Sequence, residues 1–175
     1  MVEEASLRST EHGLVAEGRG WFVVNAREAR WREDAFAPYC TFEGDERFTG
    51  LGINVSVLQP GKSNGMYHRE GSQEDFLILA GECVLLVEGE ERRLRAWDFV
   101  HCPPGTDHIF VGAGDGPCVL LAAGKRPSRV TYPVSELARR HGAGVEQETS
   151  DPDEAYARFP TPVDRRYQAG WLPAP

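Results

Sequence analysis

The sequence predicts an all-β domain, a sandwich or barrel of many short strands. Three observations predict it. Apolar runs of strand length recur from Gly52 to Ala123, glycine and proline turns punctuate them, and no helical pattern intervenes. At 175 residues the chain has the size of one domain with a sizeable core. Hydrophobic residues supply 41% and charged residues 26%, which excludes disordered and membrane-type compositions.

Taken in order, residues 1–18 read as a polar arm whose order depends on docking. Trp21–Asn25 is the first β-type run. Ile53, Val55 and Val57 then alternate with Asn54 and Ser56, the pattern of a half-buried strand, and Pro60-Gly61 closes it. Phe76–Leu79 and Cys83–Val87 are apolar on both faces, as strands inside a barrel or double sheet are. Glu88-Gly89-Glu90 supplies a hairpin turn. Leu94–Cys102, Asp107–Val111 and Cys118–Ala123 continue the series, separated by Pro103-Pro104-Gly105 and the glycine-rich residues 112–117. Beyond Gly124 the pattern changes. Ser135 to His141, followed by Gly142, predicts one short capped helix, and Ser150-Asp151-Pro152 opens another. From Phe159 a proline-rich tail carrying Tyr167 and Trp171 reads as an extended segment packed across a surface. The chain thus divides into an arm (1–18), a β-barrel (19–126), and a helical segment with its tail (127–175).

Charge excludes some partners. With 27 acidic and 19 basic residues the chain carries −8, which repels nucleic-acid phosphates and anionic lipid. Cys40, Cys83, Cys102 and Cys118 are widely spaced and form no Cys-x-x-Cys pair, so they read as buried free thiols. No apolar run reaches membrane-spanning length, and the acidic start lacks the basic and apolar parts of a secretory signal. A cytoplasmic protein is expected.

The chemistry concentrates at Tyr67–Gly81, YHREGSQEDFLILAG. In an extended strand His68 and Glu70 share a face while Arg69 turns away, and the turn at Gly71-Ser72 returns Glu74 towards them. An imidazole and two carboxylates entering a core resist burial unless a cation neutralises them. A second imidazole is available where Pro103-Pro104-Gly105 turns the chain into a strand beginning at His108.

These two stretches resemble the paired motifs of the cupin superfamily. His68, Glu74 and Gly81 match the first motif; Pro103, Gly105 and His108 match the second. Glu70 stands where the second histidine of the family usually lies, Gly61 is one residue too far upstream, Trp97 replaces the opening glycine of the second motif, and Gly112 its final asparagine. The resemblance implies a double-stranded β-helix, a small barrel of two antiparallel sheets, with His68, Glu70, Glu74 and His108 holding one divalent ion in its mouth. Two imidazoles with carboxylates suit manganese, iron or zinc. It further implies an enzyme acting on a small molecule, dioxygenase-like or isomerase-like. The alternatives are a barrel that captures a small ligand without turnover, and a barrel with a vestigial site. Strand alternation offers Tyr39, Phe76, Ile78 and Phe110 as cavity-lining candidates. His101 and Cys102 point to opposite faces and read as packing residues, and Arg69, Arg92, Arg93 and Arg95 as a solvated hairpin face. The arm and the aromatic tail resemble those of cupins that pair as homodimers by covering a sheet edge.

Overall fold

A computed structural model describes every residue except Pro127, Ser128 and Pro175. The chain opens with a hairpin of β1 (Ser6–Thr10) and β2 (Gly13–Glu17), so the polar arm is itself a paired element. Trp21–Asn25 forms no strand. Trp21 makes a single bridge to Glu4, its hydrogen bonds running to Glu3 and Ala5, and the Asn25 carbonyl instead accepts from the amides of Glu28 and Ala29, closing a turn. Three strands missed or only partly seen in the sequence pattern follow: β3 (Trp31–Glu33), β4 (Pro38–Cys40) and β5 (Leu51–Leu58). The series continues through β6 (Arg69–Glu70), β7 (Glu74–Ala80), β8 (Glu82–Val87), β9 (Glu90–Arg95), β10 (Phe99–Cys102), β11 (His108–Ala113) and β12 (Cys118–Lys125). Last come β13 (Val130–Thr131), helices α1 (Glu136–Arg140) and α2 (Pro152–Tyr156), and β14 (Val163–Arg165).

The large sheet runs β10-β7-β12-β5-β4-β3-β14 and the small one β11-β8-β9. They face each other as a double-stranded β-helix. Leu58, Phe76, Ile78 and Leu120 of the large sheet meet Cys83, Leu85 and Phe110 of the small one in a shared core. Glu88 and Gly89 form the β8–β9 turn, both with left-handed φ (49° and 80°), the requirement of a two-residue hairpin loop with matching twist.

Residues paired directly across a sheet share a face, and this reverses one expectation. Ser56 pairs with Leu120, which pairs with Ile78, so Ser56 and Asn54 lie on the barrel side. Val55 and Val57 point outward and are buried there beneath Trp31 and Trp171. The alternation in β5 is as the sequence predicts, but its apolar side faces away from the barrel because the tail covers that surface. Tyr167 and Trp171 pack against Trp31 with ring centroids 6.1 and 5.0 Å away. β14 also adds to the sheet beside β3. On the small sheet, Leu86, Ile109 and Val111 are covered by Ala138 of α1 and by Ala143. Ser135 caps α1 and Asp151 caps α2, with Pro152 at its start, as their sequences require. No helix of the described residues is long and apolar enough to cross a membrane.

The predicted strand Leu94–Cys102 is two strands. β9 stays with β8, and the chain then crosses at Ala96-Trp97-Asp98 so that β10 joins β7 in the other sheet. The crossing requires a left-handed residue: Trp97 sits at φ 75°, donates its amide to Ile78 O at 2.7 Å, and is itself 74% exposed. Asp98 Oδ2 accepts from the Arg95 amide at 2.9 Å, closing the turn. This is the position where the family resemblance calls for glycine, and the backbone has kept the conformation glycine favours. Because the indole buries little there, Trp97→Gly is expected to stabilise the protein by roughly 1 kcal/mol, read as a higher urea midpoint at unchanged slope.

Candidate metal centre

Two backbone hydrogen bonds build the centre. His68 N–H donates to His108 O at 3.1 Å, and His108 N–H donates to His68 O at 2.8 Å, an antiparallel bridge between segments 40 residues apart in number. Directly bridged residues share a face, so the imidazoles stand side by side with ring centroids 4.9 Å apart. β7 brings the third group, since Glu74 is its first residue and lies in register with Cys102 and Gly124. His68, Glu74 and His108 each place one donor atom within 4.8 Å of the others. Glu74 Oε2 lies 3.5 Å from His108 Nε2 and 3.9 Å from His68 Nε2.

The second nitrogen of each ring fixes its tautomer. His68 Nδ1 is 2.8 Å from the Met66 carbonyl and His108 Nδ1 is 3.0 Å from that of Thr106. A carbonyl only accepts, so both Nδ1 atoms carry the hydrogen and both neutral rings turn an Nε2 lone pair towards Glu74. The His108 Nε2 is buried and has no hydrogen-bond partner among the described residues. A buried acceptor left unpaired costs about 1–3 kcal/mol, and a cation at that point would satisfy it.

Metal-free, the cluster suppresses its own charge. Burial, helped by Glu70, pushes the Glu74 carboxyl up to about 8. Burial, then the neighbouring His68, holds the His108 imidazole down at about 4, and burial also lowers His68. A protonated acid beside neutral rings is the least costly state without a cation; a divalent ion favours the ionised carboxylate instead.

Of the four expected ligands, the structure brings together His68, Glu74 and His108. Glu70 lies outside this donor set. Its carbonyl accepts from the Gly105 amide at 2.8 Å, and it borders, with Glu74, a cavity of about 610 Å³. Arg69 turns away as expected and pairs with Asp107 and Glu148. Phe76, Ile78 and Phe110 are core residues rather than cavity walls: Phe76 and Phe110 lie 4.6 Å apart, and Phe76 sets its ring edge-on to His108 at 5.1 Å. Tyr39, paired across from Ser56, is also absent from the border, which Phe48, Gly52, Asn54 and Arg126 contribute instead. Cys102 is the inward member of its pair, while His101 is exposed and bound to Asp75 at 2.7 Å. The four cysteines are free and buried.

The supports of the centre were not legible beforehand. Tyr156 of α2 accepts a hydrogen bond from the Met66 amide at 3.1 Å, while the Met66 carbonyl holds His68; helix α2 thereby steadies one candidate donor through a single residue. Tyr132 stands 6.1 Å from the His68 ring and 5.8 Å from Tyr156. The sequence shows at these two positions only aromatic residues, in the segment read as short helices.

Residues 54–124 match the cupin domain family. Among curated proteins, dimethylsulfoniopropionate lyase DddQ of Ruegeria pomeroyi is 26% identical over 155 residues, covering 78% of this chain and 75% of the lyase. A sugar phosphate isomerase structure from Silicibacter pomeroyi is 28% identical, covering 48% of this chain with a TM-score of 0.44. This chain spans only 55% of that structure's length. A cupin protein structure from Bacteroides fragilis is 23% identical over 46% of this chain and 69% of its own, at a TM-score of 0.42.

The shifts have a sign that unfolding can test. In chelator-treated protein, the stability that Glu74 contributes is full below its unfolded value near 4.5 and is lost as pH rises through about 8. The contribution of His108 is full above its unfolded value of 6.5 and is lost as pH falls through about 4. Urea midpoints should therefore fall on both sides of roughly pH 5.5. Glu74→Gln should remove the alkaline fall and leave the acid one.

Proposed function

We propose that this chain, which belongs to the cupin superfamily, is a metal-dependent enzyme acting on a small organic molecule bound over His68, Glu74 and His108. One observation carries the reading: the buried His108 Nε2, without a hydrogen-bond partner among the described residues, aimed at a carboxylate and at a second Nε2 whose tautomer is already fixed. Two imidazoles and one carboxylate suit manganese, iron or zinc, and three protein donors leave positions for a substrate. When bound, such an ion supplies Lewis acidity towards an oxygen of the substrate.

The chain's own residues divide the remaining work. His68 and His108 are held by carbonyls through Nδ1 and keep their Nε2 atoms in place. Phe76 and Phe110 seal the floor beneath them against water. Glu70 borders the same cavity without joining the donor set, which leaves its carboxylate to take a proton from the substrate and return it elsewhere. Proton movement of this kind belongs to lyase and isomerase chemistry, and the similarity to a lyase over most of both chains supports that class. The donor set itself favours a second reading, since two histidines and one carboxylate also suit iron-dependent oxygen chemistry.

Protein purified without chelator should carry stoichiometric manganese, iron or zinc by elemental analysis, and His108→Ala should lose it while His101→Ala keeps it. A metal-free wild type that cannot be reconstituted would leave a barrel without a working centre. Glu70→Gln should retain the metal but lose at least about 100-fold in turnover on any substrate found among small organic acids, sugar phosphates and dimethylsulfoniopropionate. Oxygen consumption in step with product, unaffected by that substitution, would move the assignment to the oxygen-dependent class.

A further inference from the structure

The cavity above the centre has a cationic end. Three of its bordering residues are basic, Arg47, Lys125 and Arg126, against the acidic Glu70 and Glu74. Arg47 and Lys125 have no ion-pair partner among the described residues. Arg126 is held rigidly: its Nη1 pairs with Glu43 Oε1 and lies 3.5 Å from the Phe48 carbonyl, and the same Glu43 oxygen accepts from the Phe48 amide at 2.9 Å. That pairing leaves the Nε and Nη2 edge of the guanidinium for another anion. This edge lies over Gly52, with Nε 2.6 Å and Nη2 2.9 Å from where a β-carbon would stand, so a side chain there would displace it.

Register sets the spacing. Glu74 pairs with Gly124, and Gly124 pairs with Gly52, one row across three adjacent strands of the barrel's inner face. Two strand spacings amount to about 9.6 Å. The two glycines between the carboxylate and the guanidinium leave the floor of that row bare; a β-carbon at Gly124 would already touch Glu74 Cγ at 3.4 Å.

We propose that the molecule bound here is a small acid anion, a carboxylate or phosphate, whose acid group is held by Arg126 and Arg47 at the far end of the glycine row while its reacting end lies over His68, Glu74 and His108. The inference rests on the metal-site reading and names the substrate class for it. A fixed guanidinium binds two acid oxygens side by side, and the second cation sets the charge balance in favour of an anion. Glu70 and Glu74 gather at the opposite end, where an acid group would be repelled unless a cation intervened.

The test is calorimetric titration of metal-loaded and chelator-treated protein with glutarate, with glycerol 3-phosphate, and with their uncharged counterparts glutaramide and glycerol. At least one anion should bind the loaded protein tenfold or more tightly than its uncharged counterpart; which one does so separates carboxylate from phosphate. Arg47→Gln, Gly52→Ala, and the pair Arg126→Gln with Glu43→Gln, which leaves no carboxylate stranded, should each weaken that binding about tenfold while metal content stays at wild-type level. Binding that persists, weakened, after chelation would support the separate acid subsite. Equal binding of charged and uncharged probes, no binding of either anion, or variants that bind as wild type does would overturn it. Failure of the metal reading shows separately, as absent metal in the wild type.

Discussion

The centre depends on a reciprocal pair of backbone hydrogen bonds between His68 and His108. Neither histidine reaches the other through side-chain chemistry. Each is carried by a strand end, and the bridge between those ends forces their side chains onto one face, 4.9 Å apart. The rings orient by donating to carbonyls two residues before each of them, at Met66 and Thr106. Glu74 enters from the opposing sheet, and its carboxyl is better neutral than charged until a cation is present.

The barrel could not present this arrangement without its coverings. Each sheet has two apolar faces, and only one of each lines the shared core. The outer face of the large sheet is closed by Trp31, Tyr167 and Trp171, and that of the small sheet by α1 with Ala143. The coverings also reach the chemistry. Tyr156 of α2 steadies the Met66 peptide that holds His68, so a segment outside the matched cupin domain steadies one residue of the candidate centre. Arg126, just past β12, reaches back over Gly52 in the same manner.

Much of this was legible in local pattern. The apolar runs of β7, β8, β11 and β12, the turn at Glu88-Gly89 and the caps at Ser135 and Asp151 depend on neighbours in sequence, and sequence displays those. His68, Glu74 and His108 were legible because motif spacing encodes them. Trp97 was visible as a departure, though not as a residue held in a glycine's conformation. The short strands β3, β4 and β14 were hidden because three residues give too little periodicity to register, and their pairing is supplied by partners distant in the chain. Trp21–Asn25 shows the converse: β-type composition that makes a single bridge, from Trp21 to Glu4, and extends into no strand.

The sequence by itself determined an all-β class, the change to short helices after Gly124, and two histidines and a glutamate whose donor atoms meet, because those features are written in periodicity, turn residues and spacing. Tertiary structure decided which face of β5 looks inward, that Glu70 stands beside the donor set, that Phe76, Ile78 and Phe110 belong to the shared core, and that Arg126 borders the cavity. The physical reason is the same in each case. Strand alternation states that two faces differ, but which one meets the core is settled only when a distant segment, here the aromatic tail, buries the other.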